Sequence, residues 1–318
     1  MPRYKLTVAY DGADFCGWQK QEPQDPGGAA GAGETGAVRR ARVERLAPGR
    51  EGRIALRTVQ AVLERAIREV VREPVTVTGA SRTDGGVHGW GQVAAFTCSG
   101  DREAEDAEEA GAAGGAPGGE GAGRRGGGWP VSRGVETLVR AVNARLADDV
   151  LVRAAEVVAP GFDPIADCTS KGYSYTFHSA SERPLWDRGY VCHTRHALDV
   201  AAMAAGARAL VGEHDFCAMA AAGHGRSSTV RTVHACEVVE LAGAADNAQR
   251  VRIDVSGSGF LYNMVRIMAG TLHEVGRGRM APEAIGDILA SRDRRRAGPT
   301  MPPDGLRLEW VEYGGRGK

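Results

Sequence analysis

The 318-residue chain predicts an α+β protein of two ferredoxin-like (split βαβ) halves, residues 1–160 and 161–318, whose antiparallel or mixed sheets meet in a central cleft. Three observations lead to that fold. Val59, Val62, Leu63, Ala66, Ile67, Val70 and Val71 recur at alternating steps of three and one, the period of an amphipathic helix. Tyr4–Tyr10 alternates polar and apolar residues, the period of a half-buried strand. The order of the first half, β-α-β-β-α-β, is followed by a similar order in the second. A chain of this length accommodates about two domains, and the cleft between them is the default place for a site.

Taken in order, Tyr4–Tyr10 is the first strand. Thr58 caps the helix that follows, and Glu73-Pro74 ends it, because the residue before a proline avoids the helical region. Val75–Thr78 and Gln92–Thr97 are strands on either side of a glycine-dense loop. Val135, Leu138, Val139, Val142 and Leu146 mark a second helix, and Val150–Val158 another strand. In the second half Lys171–His178 is a strand, and Leu198–Val211 is a helix with Val200, Met203, Ala207, Leu210 and Val211 inward. Val233–Leu241 and Arg250–Ser256 are strands, and Phe260–Val275 is a helix. Pro282 starts a short helix, and Leu306–Tyr313 closes as a strand.

Two segments interrupt this pattern. Glu22 to about Arg57 is Gly, Ala, Pro and Arg; Gly100 to about Arg133 is Gly, Ala and Glu. Neither carries aromatic or β-branched residues at a useful period, so both read as flexible insertions, the first with a little helix around Arg39–Leu46. Asp101–Gly128 holds seven acidic and three basic residues, a net of −4 that leaves +4 on the rest of a neutral chain. Six scattered cysteines without a CxxC pair read as reduced thiols rather than a disulfide framework. The N-terminal alternation lacks the core of a signal peptide, and no apolar run approaches the ~20 residues that span a bilayer. The expectation is a soluble cytoplasmic protein with no membrane partner.

The chemistry concentrates between Gly79 and Phe96, where Asp84 sits in a glycine-dense turn two residues after Arg82 and four before His88. An aspartate in such a turn commonly just bonds its own backbone. A neighbouring cation changes the balance, because it keeps a carboxylate ionised and oriented. Such a group serves as nucleophile or as acid/base. Lys171, Tyr173 and Tyr175 share one face of a strand; Tyr175 reads as core, and Tyr173, beside basic neighbours, either as core or as a platform for a nucleobase. Arg266 lies in an otherwise apolar helix, where a charge either snorkels to solvent or needs a partner, a carboxylate such as Asp84 or a ligand phosphate. Arg292, Arg294, Arg295 and Arg296 are a solvated run or a phosphate contact. Cys192-His193-x-x-His196 lacks a second ligand pair at zinc spacing. The glycine clusters do not fit a dinucleotide fingerprint, so no nucleotide cofactor is expected.

Several of these motifs stand in the order of a known family. They are Tyr10-Asp11-Gly12 through Phe15, with Gly17-Trp18-Gln19 and Gln21, then Thr58-Val59-Gln60 with Leu63-Glu64. Arg82-Thr83-Asp84-Gly85-Gly86-Val87-His88 and Gly91-Gln92-Val93 through Phe96 follow. Lys171-x-Tyr173-x-Tyr175, Gly212-Glu213-His214-Asp215-Phe216, Val230-Arg231-Thr232, and Phe260 with Met264-Val265-Arg266 and Gly270 complete the set. In these the chain resembles the tRNA pseudouridine synthase A (TruA) family, over most of its length outside the insertions.

The resemblance implies the pseudouridine synthase fold and an isomerase acting on uridines at positions 38, 39 and 40 of the tRNA anticodon stem-loop. It implies a homodimer that uses neither cofactor nor metal. It implies Asp84 as the catalytic nucleophile, Arg82 in base extrusion and carboxylate positioning, Tyr173 in base stacking and C5 deprotonation, and Arg266 paired with Asp84. Lys171 and His88 stand on the substrate side by their place in the motifs. Two departures stand out. Phe162-Asp163-Pro164-Ile165 occupies the place where the family carries alanine and arginine after the phenylalanine, and Gly85 stands where alanine is more typical. The rival readings are a non-catalytic RNA-binding protein of the same fold and a carboxylate-dependent glycosidic hydrolase, which would want a second acid at a matched distance.

Overall fold

Alternation decides the first strand. In β1 (Arg3–Tyr10) Tyr4, Leu6 and Val8 are fully buried, while Arg3, Lys5 and Thr7 on the other face are partly exposed. The computed structural model describes residues 1–22, 55–100, 127–221, 228–242 and 248–314, and the backbone alone at 43–44. A small ladder joins β2 (Val43–Glu44) to β3 (Ala55–Leu56). The other strands are β4 (Thr78–Gly79), β5 (His88–Thr97), β6 (Val150–Val158), β7 (Cys168–Ser179), β8 (Cys192–Thr194), β9 (Gly212–Asp215), β10 (Val230–Leu241), β11 (Gln249–Gly257) and β12 (Leu306–Tyr313).

With β1 they make one ten-stranded mixed sheet in the order β6-β1-β5-β12-β7-β11-β10-β9, with β4 beside β5 and β8 beside β7. Only the β5–β12 and β7–β8 pairings are parallel. β12, the last described strand in chain order, runs antiparallel to β7 and sets Arg307 and Leu308 beside His88 and Gly89 of β5. It thus joins early and late strands into one sheet. β4 and β12 share the same edge of β5, β4 at Ala94 and Ala95 and β12 at His88 and Gly89. The loop between Gly79 and His88 leaves the sheet where one neighbour gives way to the other.

Two hydrophobic clusters pack on this α+β frame. The first sets Tyr4, Leu6, Val8 and Phe96 against Leu63 and Ile67 of α1 (Val59–Val71) and Leu138 and Val142 of α2 (Val135–Asn143). The second sets Tyr175, Phe177, Val251 and Ile253 against Met203 of α3 (Val200–Arg208), Ile267 and Leu272 of α4 (Met264–Gly276) and Ile285 of α5 (Ala284–Ser291). Burying each such side chain favours folding by about 1.5–3 kcal/mol. α1 starts where its sequence indicates: Thr58 Oγ1 accepts the Ala61 N–H at 3.4 Å, and Arg72, left-handed at φ 56°, ends the helix.

Several elements differ from the sequence reading, each for a local reason. Val75–Val77 is not a strand. Its backbone is satisfied by α1 side chains instead: Glu64 Oε1 accepts the Val77 N–H at 3.1 Å, Gln60 Nε2 donates to the Val77 carbonyl at 2.8 Å, and Arg68 donates to that of Val75. β5 begins at His88, four residues before the expected start, because β12 supplies a partner there. α3 is shorter than Leu198–Val211, with Asp199 as its cap and Val211 40% exposed. α4 starts at Met264, since left-handed Asn263 (φ 59°) interrupts the helix expected from Phe260. At Val43–Glu44 there is strand where a little helix was expected; the rest of Arg39–Leu46 lies outside the described residues. The expected insertion from Gly100 extends too far: Trp129 is 3% exposed in the first core, with Arg133 4.5 Å over its ring. The short strands β8 and β9 carried no readable pattern.

Candidate active site

Backbone contacts fix the loop from Ala80 to Val87 along its length. Ala80 N–H donates to the Val93 carbonyl at 2.8 Å, and Lys171 Nζ donates to the Ala80 carbonyl at 2.6 Å. Gln92, fully buried in β5, holds Ser81 on both sides: its Oε1 accepts the Ser81 N–H at 3.2 Å, and its Nε2 donates to the Ser81 carbonyl at 2.7 Å. Thr83 bonds the buried Tyr10 hydroxyl at 2.8 Å, and its carbonyl accepts the Trp18 N–H at 3.1 Å. That approach requires Gly17: at φ 97°, a Cβ there would lie 2.6 Å from the Thr83 carbonyl oxygen. Val87 N–H closes the turn on the Asp84 carbonyl at 3.2 Å, with Gly86 left-handed at φ 81°.

The Asp84 side chain leaves this turn toward α4. Arg266 Nη1 donates to Asp84 Oδ2 at 3.3 Å and to Asn263 Oδ1 at 2.7 Å, while Arg266 Nε donates to the Met301 carbonyl at 2.7 Å. Both members of the ion pair are largely shielded, with 26% of the Asp84 side chain and 16% of the Arg266 side chain exposed. Burial holds the Asp84 carboxyl above its ordinary value, and the Arg266 guanidinium offsets this only in part. Tyr173 lies beside the pair, buried, edge-on to Phe260 at 5.2 Å, its hydroxyl 2.8 Å from Ser81 Oγ. Burial pushes its phenol up to about 12, and the Asp84 charge adds to that, so Tyr173 is protonated at neutral pH and its hydroxyl has a proton to donate.

The other sequence-derived residues take different places. Arg82 is exposed and makes no hydrogen bond or ion pair among the described residues. His88 is 4% exposed: its Nε2 must carry a proton to bond the Gly189 carbonyl at 2.8 Å, and its Nδ1 lies 3.1 Å from both the Gly12 nitrogen and Asp11 Oδ1. The bonds from His88 and the Tyr190 hydroxyl hold the Asp11 carboxyl well below the ordinary range. Tyr175 is core, its hydroxyl on the Pro302 carbonyl. In the basic run Arg292 pairs with Asp215 at 2.9 Å and Arg295 with Asp293 at 2.8 Å. Phe162 packs on Tyr313 at 5.0 Å, and Asp163 turns back to accept the N–H groups of Ile165 and Ala166. His193 is tied to the Ala180 carbonyl at 2.9 Å. Among the described residues no three His, Cys, Asp or Glu side chains are grouped to hold a metal ion.

The family profile described as tRNA pseudouridine synthase matches residues 207–314. The chain is 39% identical over 320 residues to the tRNA pseudouridine synthase A of Solidesulfovibrio magneticus, covering all of this chain and 93% of that protein. It is 36% identical to that of Moorella thermoacetica and 34% to that of Geobacter sulfurreducens, each over 98% of this chain and the whole relative. The chain belongs to the tRNA pseudouridine synthase A family. The chain is thus an isomerase.

In this chain sequence reasoning passed over Asn263, Met301 and Ser81, and took Gln92 only as a strand and motif residue. Two of them left a signal. Gln92 is an amide leading the apolar run Val93–Phe96, and a polar residue buried there needs a local partner. Asn263 stands three residues before Arg266 at a helix start, within reach of its side chain.

Proposed function

We propose that this chain converts uridine to pseudouridine in the anticodon stem-loop of tRNA, at positions 38, 39 and 40, with Asp84 as the nucleophile. The observation that carries the reading is Asp84 in a rigid turn, 3.3 Å from an arginine that is itself held by two further acceptors. A target base leaves its stack at a cost of a few kcal/mol. In this reading Arg82, exposed two residues from Asp84, takes the space the base vacates. Ionised Asp84 attacks C1′ or C6 of the flipped nucleotide. The N1–C1′ bond breaks, the uracil turns, C5 joins C1′ and the bond to Asp84 breaks again; C5 loses a proton and N1 gains one, so that the product has the atoms of the substrate. Tyr173 supports the ring from below, bonded to Ser81. Its raised phenol argues for a donor role over that of the base that takes the C5 proton. Lys171 and His88 act through backbone, by securing the ends of the catalytic loop.

The reading includes two split-βαβ halves, 1–160 and 161–318, with a cleft between their helical layers, and it is supported by the two core clusters. It includes a homodimer and a cytoplasmic location, supported by family membership and a tRNA substrate; no described helix is long and apolar enough to cross a membrane. Among the described residues the charged group that faces Asp84 is a guanidinium, which disfavours a two-carboxylate hydrolase. The test is incubation of purified protein with an unmodified tRNA transcript, followed by chemical mapping of pseudouridine. Turnover at those positions, retained after EDTA dialysis with pre-folded RNA, supports the reading. A free uracil product, or no modification, overturns it.

A further inference from the structure

Trp186 is 94% exposed, with Leu185 at 60% and Tyr190 at 52% beside it. An indole left in water forgoes the burial that large aromatic side chains normally obtain. This one sits on a loop with a fixed base. His88 Nε2 donates to the Gly189 carbonyl at 2.8 Å, the Tyr190 hydroxyl donates to Asp11 Oδ2 at 2.5 Å, and Tyr190 N–H donates to the Asp187 carbonyl at 2.8 Å. Asp187 is paired with Arg250, Pro184 is buried, and the Tyr190 ring packs on His88 at 4.9 Å. A side chain presented from an anchored loop loses little freedom when it is covered, which is the condition for strong contact.

We propose that the Arg183–Tyr190 loop is a second tRNA contact, in which Trp186 stacks on an unpaired base of the substrate outside the catalytic turn. The proposal rests on the tRNA reading given above. Charge selects the occupant. Arg183 and Arg188 on the loop, and Arg195 nine residues after Trp186, are exposed, while of the acids on or bonded to the loop Asp187 pairs with Arg250, Asp11 accepts from the Tyr190 hydroxyl, and exposed Glu182 opposes the arginines. Aromatic stacking next to arginines is the pattern of single-stranded RNA recognition. Distance agrees. His88 follows Asp84 by four residues and bonds Gly189, so chain reach keeps Trp186 within about 35 Å of Asp84, a span that one folded RNA covers.

The experiment measures tRNA affinity and steady-state kinetics for wild type, Trp186→Phe and Trp186→Ala, with sedimentation of each. The expected result is a rise of at least fivefold in KM and Kd for Trp186→Ala, kcat within twofold of wild type, and recovery of most affinity in Trp186→Phe. A fluorescence component absent from Trp186→Phe should become protected from acrylamide when tRNA is added to wild type. Wild-type affinity in Trp186→Ala would overturn the proposal alone. So would a change in oligomeric state in Trp186→Ala, which would assign the indole to a protein interface. Wild-type protein that neither binds nor modifies tRNA would overturn both this proposal and the function it rests on.

Discussion

The side-chain oxygen of Asn263 accepts a hydrogen bond from the Arg266 guanidinium at 2.7 Å instead of capping the helix that both residues begin. An asparagine before a helix ordinarily satisfies a backbone N–H of the first turn. Here that acceptor is turned to a side chain, and left-handed Asn263 makes the geometry possible. With the Met301 carbonyl on Nε, the guanidinium has one rotamer in which all its acceptors are met, and in that rotamer it faces Asp84.

Asn263→Gly keeps the left-handed backbone and removes the acceptor. A hydrogen bond to a charged group is worth about 1.5–3 kcal/mol, so the single-turnover rate should fall roughly ten- to a hundredfold with little change in KM for tRNA. Asn263→Asp keeps an acceptor and should retain most of the rate. Equal rates for the glycine variant and wild type would show that Arg266 needs no such support.

Asp84→Asn should reduce pseudouridine formation to background while tRNA affinity stays within several-fold, because the amide keeps the shape but cannot attack carbon. In wild type kcat/KM should rise with pH through an apparent pKa above the ordinary carboxylate value of 3.8, since the ionised form reacts and burial raises its pKa. Mapping after exclusion of deamidated protein decides the first point, and a pH–rate profile the second.

The same raised pKa makes a stability prediction of opposite sense. Protonated Asp84 is favoured in the folded state, so its contribution is full below the ordinary value of 3.8 and is lost as pH rises through the folded value. At neutral pH the ionised carboxylate therefore costs stability. A neutral amide avoids that cost and still accepts from Arg266, so Asp84→Asn should melt at a higher temperature at pH 7, by a margin that narrows toward acid pH. A lower melting temperature at pH 7 would mean that the ion pair outweighs burial.

Replacement of residues 101–126 by a short Gly/Ser linker should leave turnover unchanged. The chain departs and returns at one place: Trp129 N–H donates to the Ser99 carbonyl at 2.9 Å, and Gly128 N–H to that of Val71 at 2.6 Å. A short bridge spans those ends without moving Trp129. Removal of net negative charge should hold tRNA affinity level or raise it slightly at low salt. A large loss of turnover in protein of native melting temperature would contradict this.

What could be read from sequence was local. α1 was legible because Thr58, the apolar steps and Glu73-Pro74 all lie within seventeen residues. The turn at Asp84 was legible because it is written in adjacent glycines. The reading failed where long-range groups replaced local ones. Val75–Val77 has the composition of a strand, yet Gln60, Glu64 and Arg68 take its backbone bonds. Trp129 looked like the tail of a low-complexity stretch because nothing near it in sequence reveals the pocket it fills. Arg266 advertised a need for acceptors, but Met301, thirty-five residues on, gave no sign of being one.

The placement of β12 bears on how the enzyme comes into being. Its parallel rungs lie against His88 and Gly89, directly after the Asp84 turn, and its other edge holds the strand that carries Tyr173. During synthesis Asp84 is made early, Arg266 much later, and the strand that fixes their two neighbourhoods later still. The pairing that joins β5 to β7 through β12 therefore forms only after Leu306–Tyr313 has been made, later than Asp84 and later than Arg266.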